Sequence, residues 1–120
     1  MSASSVVVGI DVAKAHVDVA VLGAKLDAQR FDNEAEAHSG LAAALKPLGV
    51  ALVVMEATGG YESIVAASLS GAGLPVLVLN PAQIRAFAKA IGQRAKTDPI
   101  DARLIATFVL ATNPPIRPLP

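Results

Sequence analysis

The chain has 120 residues, 53% hydrophobic and 17% charged, enough for one domain around one core and too apolar for a disordered segment. It has no cysteine, which excludes disulfides, thiolate catalysis and zinc–thiolate sites, and its 3% aromatic content argues against single strands held by base stacking. Formal net charge is zero but divided, −4 over residues 1–80 and +4 over residues 81–120, so a basic segment surrounds Asp98 and Asp101 and suits a polyanion drawn to an acid cluster.

VVVGID (6–11) is a β-branched run ending in an aspartate and reads as a buried strand. HVDVAVLG (16–23) alternates polar and apolar residues before turning apolar, a second strand after a turn at residues 12–15. A weaker third strand is expected over DAQRFDN (27–33), and connections this short require an antiparallel meander. Residues 34–46 carry Leu41, Ala44 and Leu45 on one face and predict a helix that stops before Pro47 and Gly49. VALVVME (50–56) is near-continuously apolar, as a strand covered on both faces should be. Thr58-Gly59-Gly60 breaks it, and residues 61–70 are helical up to Gly71. PVLVL (75–79) is a fifth strand, followed by a helix over 81–91, a polar loop GQRAKT (92–97) and a helix over 99–111. The end, NPPIRPLP (113–120), cannot continue a helix and reads as a linker.

This order predicts an α/β fold: a mixed five-stranded sheet, first three strands antiparallel, helices on both faces. Right-handed crossovers place strand 50–56 parallel to and beside strand 6–11, which brings Asp11 and Glu56 to the same carboxyl-terminal edge. MSASS lacks the features of a signal peptide, and no apolar run approaches the roughly 20 residues of a spanning helix. A cytoplasmic protein is the expectation.

Four carboxylates are candidates for one cluster. Asp11 ends an apolar strand, where it reads either as a turn former or as a ligand. Glu56 follows Val-Val-Met in the most buried strand and needs a cation, donors or a place at the sheet edge; pairing with Lys14 or Lys96 is the plainer alternative. The glycines after it allow a phosphate or another chain close to the backbone. In KTDPIDARLIA (96–106), Asp98 suits an N-cap, Pro99 the first helical position and Asp101 the third residue of the helix; both acids also suit a ligand pair. Four carboxylates that close repel unless a cation neutralises them, and oxygen-only donors favour Mg²⁺ or Mn²⁺, with two ions suited to phosphodiester chemistry. His16 and His38 read as surface or packing residues, and no base stands at a readable spacing from Ser63, Ser68 or Ser70.

GIDVAK (9–14), EATGGYE (56–62) and KTDPIDARLIA (96–106), in this order and spacing, resemble the amino-terminal domain of DEDD-type insertion-sequence transposases, the family that includes the pilin-gene invertases. The resemblance implies an RNase H-like, RuvC-like fold. It implies that Asp11, Glu56, Asp98 and Asp101 are the catalytic D, E, D and D that bind divalent metal for DNA strand cleavage and transfer. It also implies DNA as partner, a structured guide RNA, homo-oligomeric assembly, a bacterial nucleoid-associated setting, and phosphate contacts at Lys14, Arg94, Lys96 and Arg103. Residues 1–112 are then the catalytic domain, and 113–120 lead toward an absent carboxyl-terminal transposase domain. Helix 99–111 reads as core packing ahead of a dimer face. Two other readings remain open: an actin-like or sugar-kinase-type nucleotide-binding lobe, and a non-catalytic nucleic-acid-binding or oligomerisation module.

Overall fold

Alternation of side chains across each strand decides the layering. The structure is a computed structural model that describes residues 6–26, 28–90 and 101–112, with side chains up to Leu110. Its strands are β1 (Val6–Val12), β2 (His16–Leu22), β3 (Arg30–Asp32), β4 (Val50–Glu56) and β5 (Val76–Leu79). They form one sheet in the order β3-β2-β1-β4-β5. β1, β2 and β3 pair antiparallel, and β4 and β5 join parallel to β1, as the chain order requires.

Each face of the sheet has its own core. Val8, Ile10, Val12, Val17, Val19, Val53, Met55 and Val76 line one face. It is covered by Leu41, Ala42 and Leu45 of α1 (Ala35–Leu45) and by Val65, Ala66 and Leu69 of α2 (Glu62–Gly71). The intervening residues Val7, Leu52, Val54, Leu77 and Leu79 line the other face. They lie under α3 (Pro81–Ala90) and α4 (Ala102–Thr112), which meet through an edge-on contact of Phe87 and Phe108 with ring centres 5.3 Å apart. The period of two that makes β4 apolar on both sides is therefore a packing requirement.

Beyond single-residue shifts, boundaries differ from the sequence expectation at β3, at the start of α4 and after α1, where a 3-10 turn over Lys46–Leu48 carries the chain through Pro47. β3, expected over residues 27–33, is confined to Arg30–Asp32, because only Phe31 turns into the core while Arg30 and Asp32 are exposed. α4, expected from residue 99, begins at Ala102 with Asp101 just before it. α4 is a core helix: Leu104, Ile105, Ala106, Phe108 and Val109 are all buried against the sheet and α3. Among the described residues no helix is long and apolar enough to cross a membrane. The linker expected at residues 113–120 lies outside the described residues.

Candidate active site

The face covered by α3 and α4 is also the face of the acids. Val7 of β1 and Val54 of β4 point into this core, so Asp11 and Glu56, four and two residues on, share its side of the sheet. The parallel register pairs Gly9 with Val54 and Ile10 with Met55, which brings Asp11 and Glu56 to the next step of the same ladder. Asp11 faces Asp18 across the antiparallel pair, and Asp18 in turn faces Arg30. One level of the sheet thus carries Glu56, Asp11, Asp18 and Arg30 on four adjacent strands.

Asp101 arrives from above. A Cβ on Gly9 would stand 2.0 Å from the Ala102 carbonyl oxygen and 2.8 Å from the Ala106 nitrogen, so α4 lies backbone to backbone against β1 there. Asp101, immediately before Ala102, is carried to the end of β1 where Asp11 stands. Its Oδ1 accepts the Leu104 N–H at 2.8 Å, which makes it the N-cap of α4 rather than the third residue of the helix. Sequence reasoning passed over Gly9, although a glycine inside a β-branched run is itself a signal of close backbone approach.

The electrostatics report the same convergence. Burial raises the Asp11 carboxyl above its ordinary range, and the charges of Asp18 and Asp101 add to it against the opposing pull of His16. Burial also raises Glu56, with Arg85 acting the other way and Asp11 adding to the rise. Asp18 is instead held low by Arg30, whose Nε and Nη2 donate to its two oxygens at 2.7 and 3.1 Å. Among the described residues the cation acting on Glu56 is Arg85 of α3. Among the described residues no three His, Asp or Glu side chains are grouped closely enough to hold a metal ion. Asp98, Arg94 and Lys96 lie outside the described residues, while Lys14 and Arg103 are exposed.

In the loop after Glu56 the donors of Thr58 and Gly60 are engaged within the chain. Glu62 Oε1 accepts from the Thr58 N–H at 2.9 Å, the Thr58 hydroxyl at 2.8 Å and the Gly60 N–H at 3.1 Å. Burial opposes its charge, but these bonds outweigh it and take the Glu62 pKa to about 2. The chain's own carboxylate therefore occupies the donors that a nucleotide phosphate would need at TGG, which weighs against a kinase-type lobe. On the opposite face of the sheet, His38 is fully buried in α1 and joined to Asn33. His16 stands at the sheet surface, 3.9 Å from Asp18.

With this geometry in place, comparison with known proteins gives a consistent result. Residues 8–120 match the family described as DEDD_Tnp_IS110, Transposase. The chain belongs to this transposase family. Over 64 residues it is 39% identical to the pilin gene-inverting proteins of Moraxella lacunata and Moraxella bovis, a match covering 53% of the chain and 20% of each relative. The matched segment is thus a fifth of the length of those curated relatives. The fold is similar to Thermus thermophilus RuvC, with a TM-score of 0.56 and 15% identity over 90% of this chain and 96% of that one. It is also similar to T. thermophilus RuvC in complex with Holliday junction substrate, with a TM-score of 0.55 and 18% identity over 88% and 95% of the two chains. At these identities the likeness establishes the RNase H-like fold of the transposase domain.

Proposed function

We propose that this transposase-family domain is the catalytic unit of a DNA recombinase, cleaving and transferring DNA strands in insertion-sequence transposition with divalent metal held by Asp11, Glu56, Asp98 and Asp101. The observation that carries the reading is that Asp11 and Glu56 end neighbouring parallel strands on one sheet face, with the Asp101 cap brought toward them where Gly9 admits α4 against β1. Burial raises the proton affinity of both strand carboxylates, as expected where a cation is to replace the proton. The donors are all hard oxygens, which fits Mg²⁺ or Mn²⁺, and Asp98 completes the set from the segment that precedes α4.

Two bound ions would supply activation of a water or hydroxyl and charge neutralisation at the leaving oxygen of a phosphodiester. The chain's part is to hold the ligands and approach the phosphate. Asp11 is held by its pairing with β2, Glu56 by its pairing with β5, and Asp101 by its cap. Lys14 and Arg103, both exposed, with Arg94 and Lys96, contact backbone phosphates. The pilin gene-inverting relatives and the RuvC neighbour solved with a Holliday junction support DNA as the partner. A structured guide RNA, homo-oligomeric assembly and a cytoplasmic, nucleoid-associated setting belong to the same reading.

The test is Mn²⁺-dependent nicking of DNA by a protein that carries this chain joined to the carboxyl-terminal transposase domain. Asp11→Asn and Glu56→Gln each abolish nicking while leaving salt-sensitive DNA binding in place. Normal recombination by either variant overturns the assignment, and DNA binding without cleavage in the native protein indicates the non-catalytic module instead.

A further inference from the structure

The loops that follow the two acid-bearing strands are tied together by one side chain from neither. We infer that Asn33, locked by His38, is a positioning residue that sets the separation of the Asp11 and Glu56 strand ends; this rests on the metal-site reading above. Asn33 follows β3, and its Nδ2 donates to the Ala13 carbonyl at 2.9 Å and to the Tyr61 carbonyl at 3.2 Å. Ala13 is two residues beyond Asp11, and Tyr61 ends the loop that begins after Glu56. The Asn33 N–H also donates to the Ala15 carbonyl at 3.0 Å, within the turn that Ala13 closes by donating its N–H to the His16 carbonyl at 2.9 Å.

The chemistry fixes every donor and acceptor in this clamp. Carbonyl oxygens cannot donate, so the amide nitrogen of Asn33 must face Ala13 and Tyr61, and its Oδ1 is left to accept. The group that reaches Oδ1 is His38 Nε2, at 2.8 Å, so this nitrogen carries the ring proton. His38 Nδ1 is then the bare nitrogen, buried with no hydrogen-bond partner among the described residues. Leaving a buried ring nitrogen unpartnered costs free energy, and the Nε2–H bond to Asn33 offsets part of it. Both side chains lie on the α1 and α2 side of the sheet, so the clamp braces the strand ends from behind and leaves the acid face open. Glu62 rigidifies the span between Glu56 and Tyr61 through Thr58 and Gly60, so a shift at Tyr61 is transmitted to Glu56 rather than absorbed.

Positioning and mere stabilisation are separated by measuring Mn²⁺ affinity of the whole chain at a temperature where each variant is folded by circular dichroism. Asn33→Ala weakens Mn²⁺ binding about tenfold, the scale of lost outer-shell support. His38→Gln, whose side-chain amide can donate near the position of Nε2, keeps native affinity, and His38→Leu repeats the Asn33→Ala loss. Should Asn33→Ala unfold, the His38→Leu and His38→Gln pair carries the same comparison. Asp11→Asn is the control. Native affinity in folded Asn33→Ala or His38→Leu, with binding lost in Asp11→Asn, overturns the role of Asn33 alone. Absence of Mn²⁺ binding by the native chain, or binding unchanged in Asp11→Asn, overturns the metal-site reading and this inference with it.

Discussion

Replacing Gly9 by alanine adds one methyl group at the point where α4 touches β1, and the consequence can be worked from distances. The new Cβ would lie 2.0 Å from the Ala102 oxygen, 2.8 Å from the Ala106 nitrogen and 3.1 Å from the Ala102 carbonyl carbon. All three are backbone atoms, so no rotamer change relieves the clash. To restore an ordinary contact of 3.4 Å the helix must retreat by about 1.4 Å along that direction. α4 cannot tilt freely, since Leu104, Ile105, Phe108 and Val109 are buried on the same sheet. Overpacking of this kind costs about 1–3 kcal/mol, and the upper part of that range applies because both partners are main chain. For a domain of this size the melting temperature falls by roughly 10 °C. The retreat also draws the Asp101 cap away from Asp11, so the upward push of Asp101 on the Asp11 carboxyl weakens. Urea denaturation supplies the stability change, and carboxyl-carbon NMR titration follows Asp11. A Gly9→Ala protein within about 0.5 kcal/mol of native, with an unchanged Asp11 titration, would refute the close-approach account.

Two further outcomes follow from the carboxylates of Asp101 and Glu62. Asp101→Asn retains an acceptor for the Leu104 N–H and so keeps native stability, whereas Asp101→Ala loses about 1 kcal/mol; both lose Mn²⁺-dependent nicking, and an active Asp101→Asn protein would remove Asp101 from the ligand set. Glu62 has a folded pKa of about 2 against an ordinary 4.5, so its stabilisation is complete above pH 4.5 and is lost as pH falls through the window down to about 2. Urea midpoints should show the native protein converging on Glu62→Gln across that window, and a pH-independent gap between them would contradict the charged Glu62 carboxylate bonding the loop.

Two short connections and two crossovers left the chain few topologies, and the resulting strand order could be read without coordinates, since period two and right-handed crossovers act locally. Asp11 and Glu56 were legible for the same reason: each terminates an apolar strand, and parallel neighbours end at the same edge. The cap of α4 was misread because KTDPIDAR offers two aspartates with nearly equal claims, and the docking of Ala102 on Gly9 favours a start after the second. Arg85 as the counter-charge of Glu56 was hidden, because its place depends on how α3 lies across the sheet.

What the amino-acid order settled by itself is the layered α/β architecture and the carboxylates at its strand ends, because alternation and connection length are properties of neighbouring residues. Only the folded chain decided that Asp101 is carried to Asp11 over a glycine, that Glu62 fills its own loop, and that Asn33 ties the two strand ends together. Those contacts join segments far apart in sequence, and excluded volume and hydrogen-bond geometry select them only once the layers have closed.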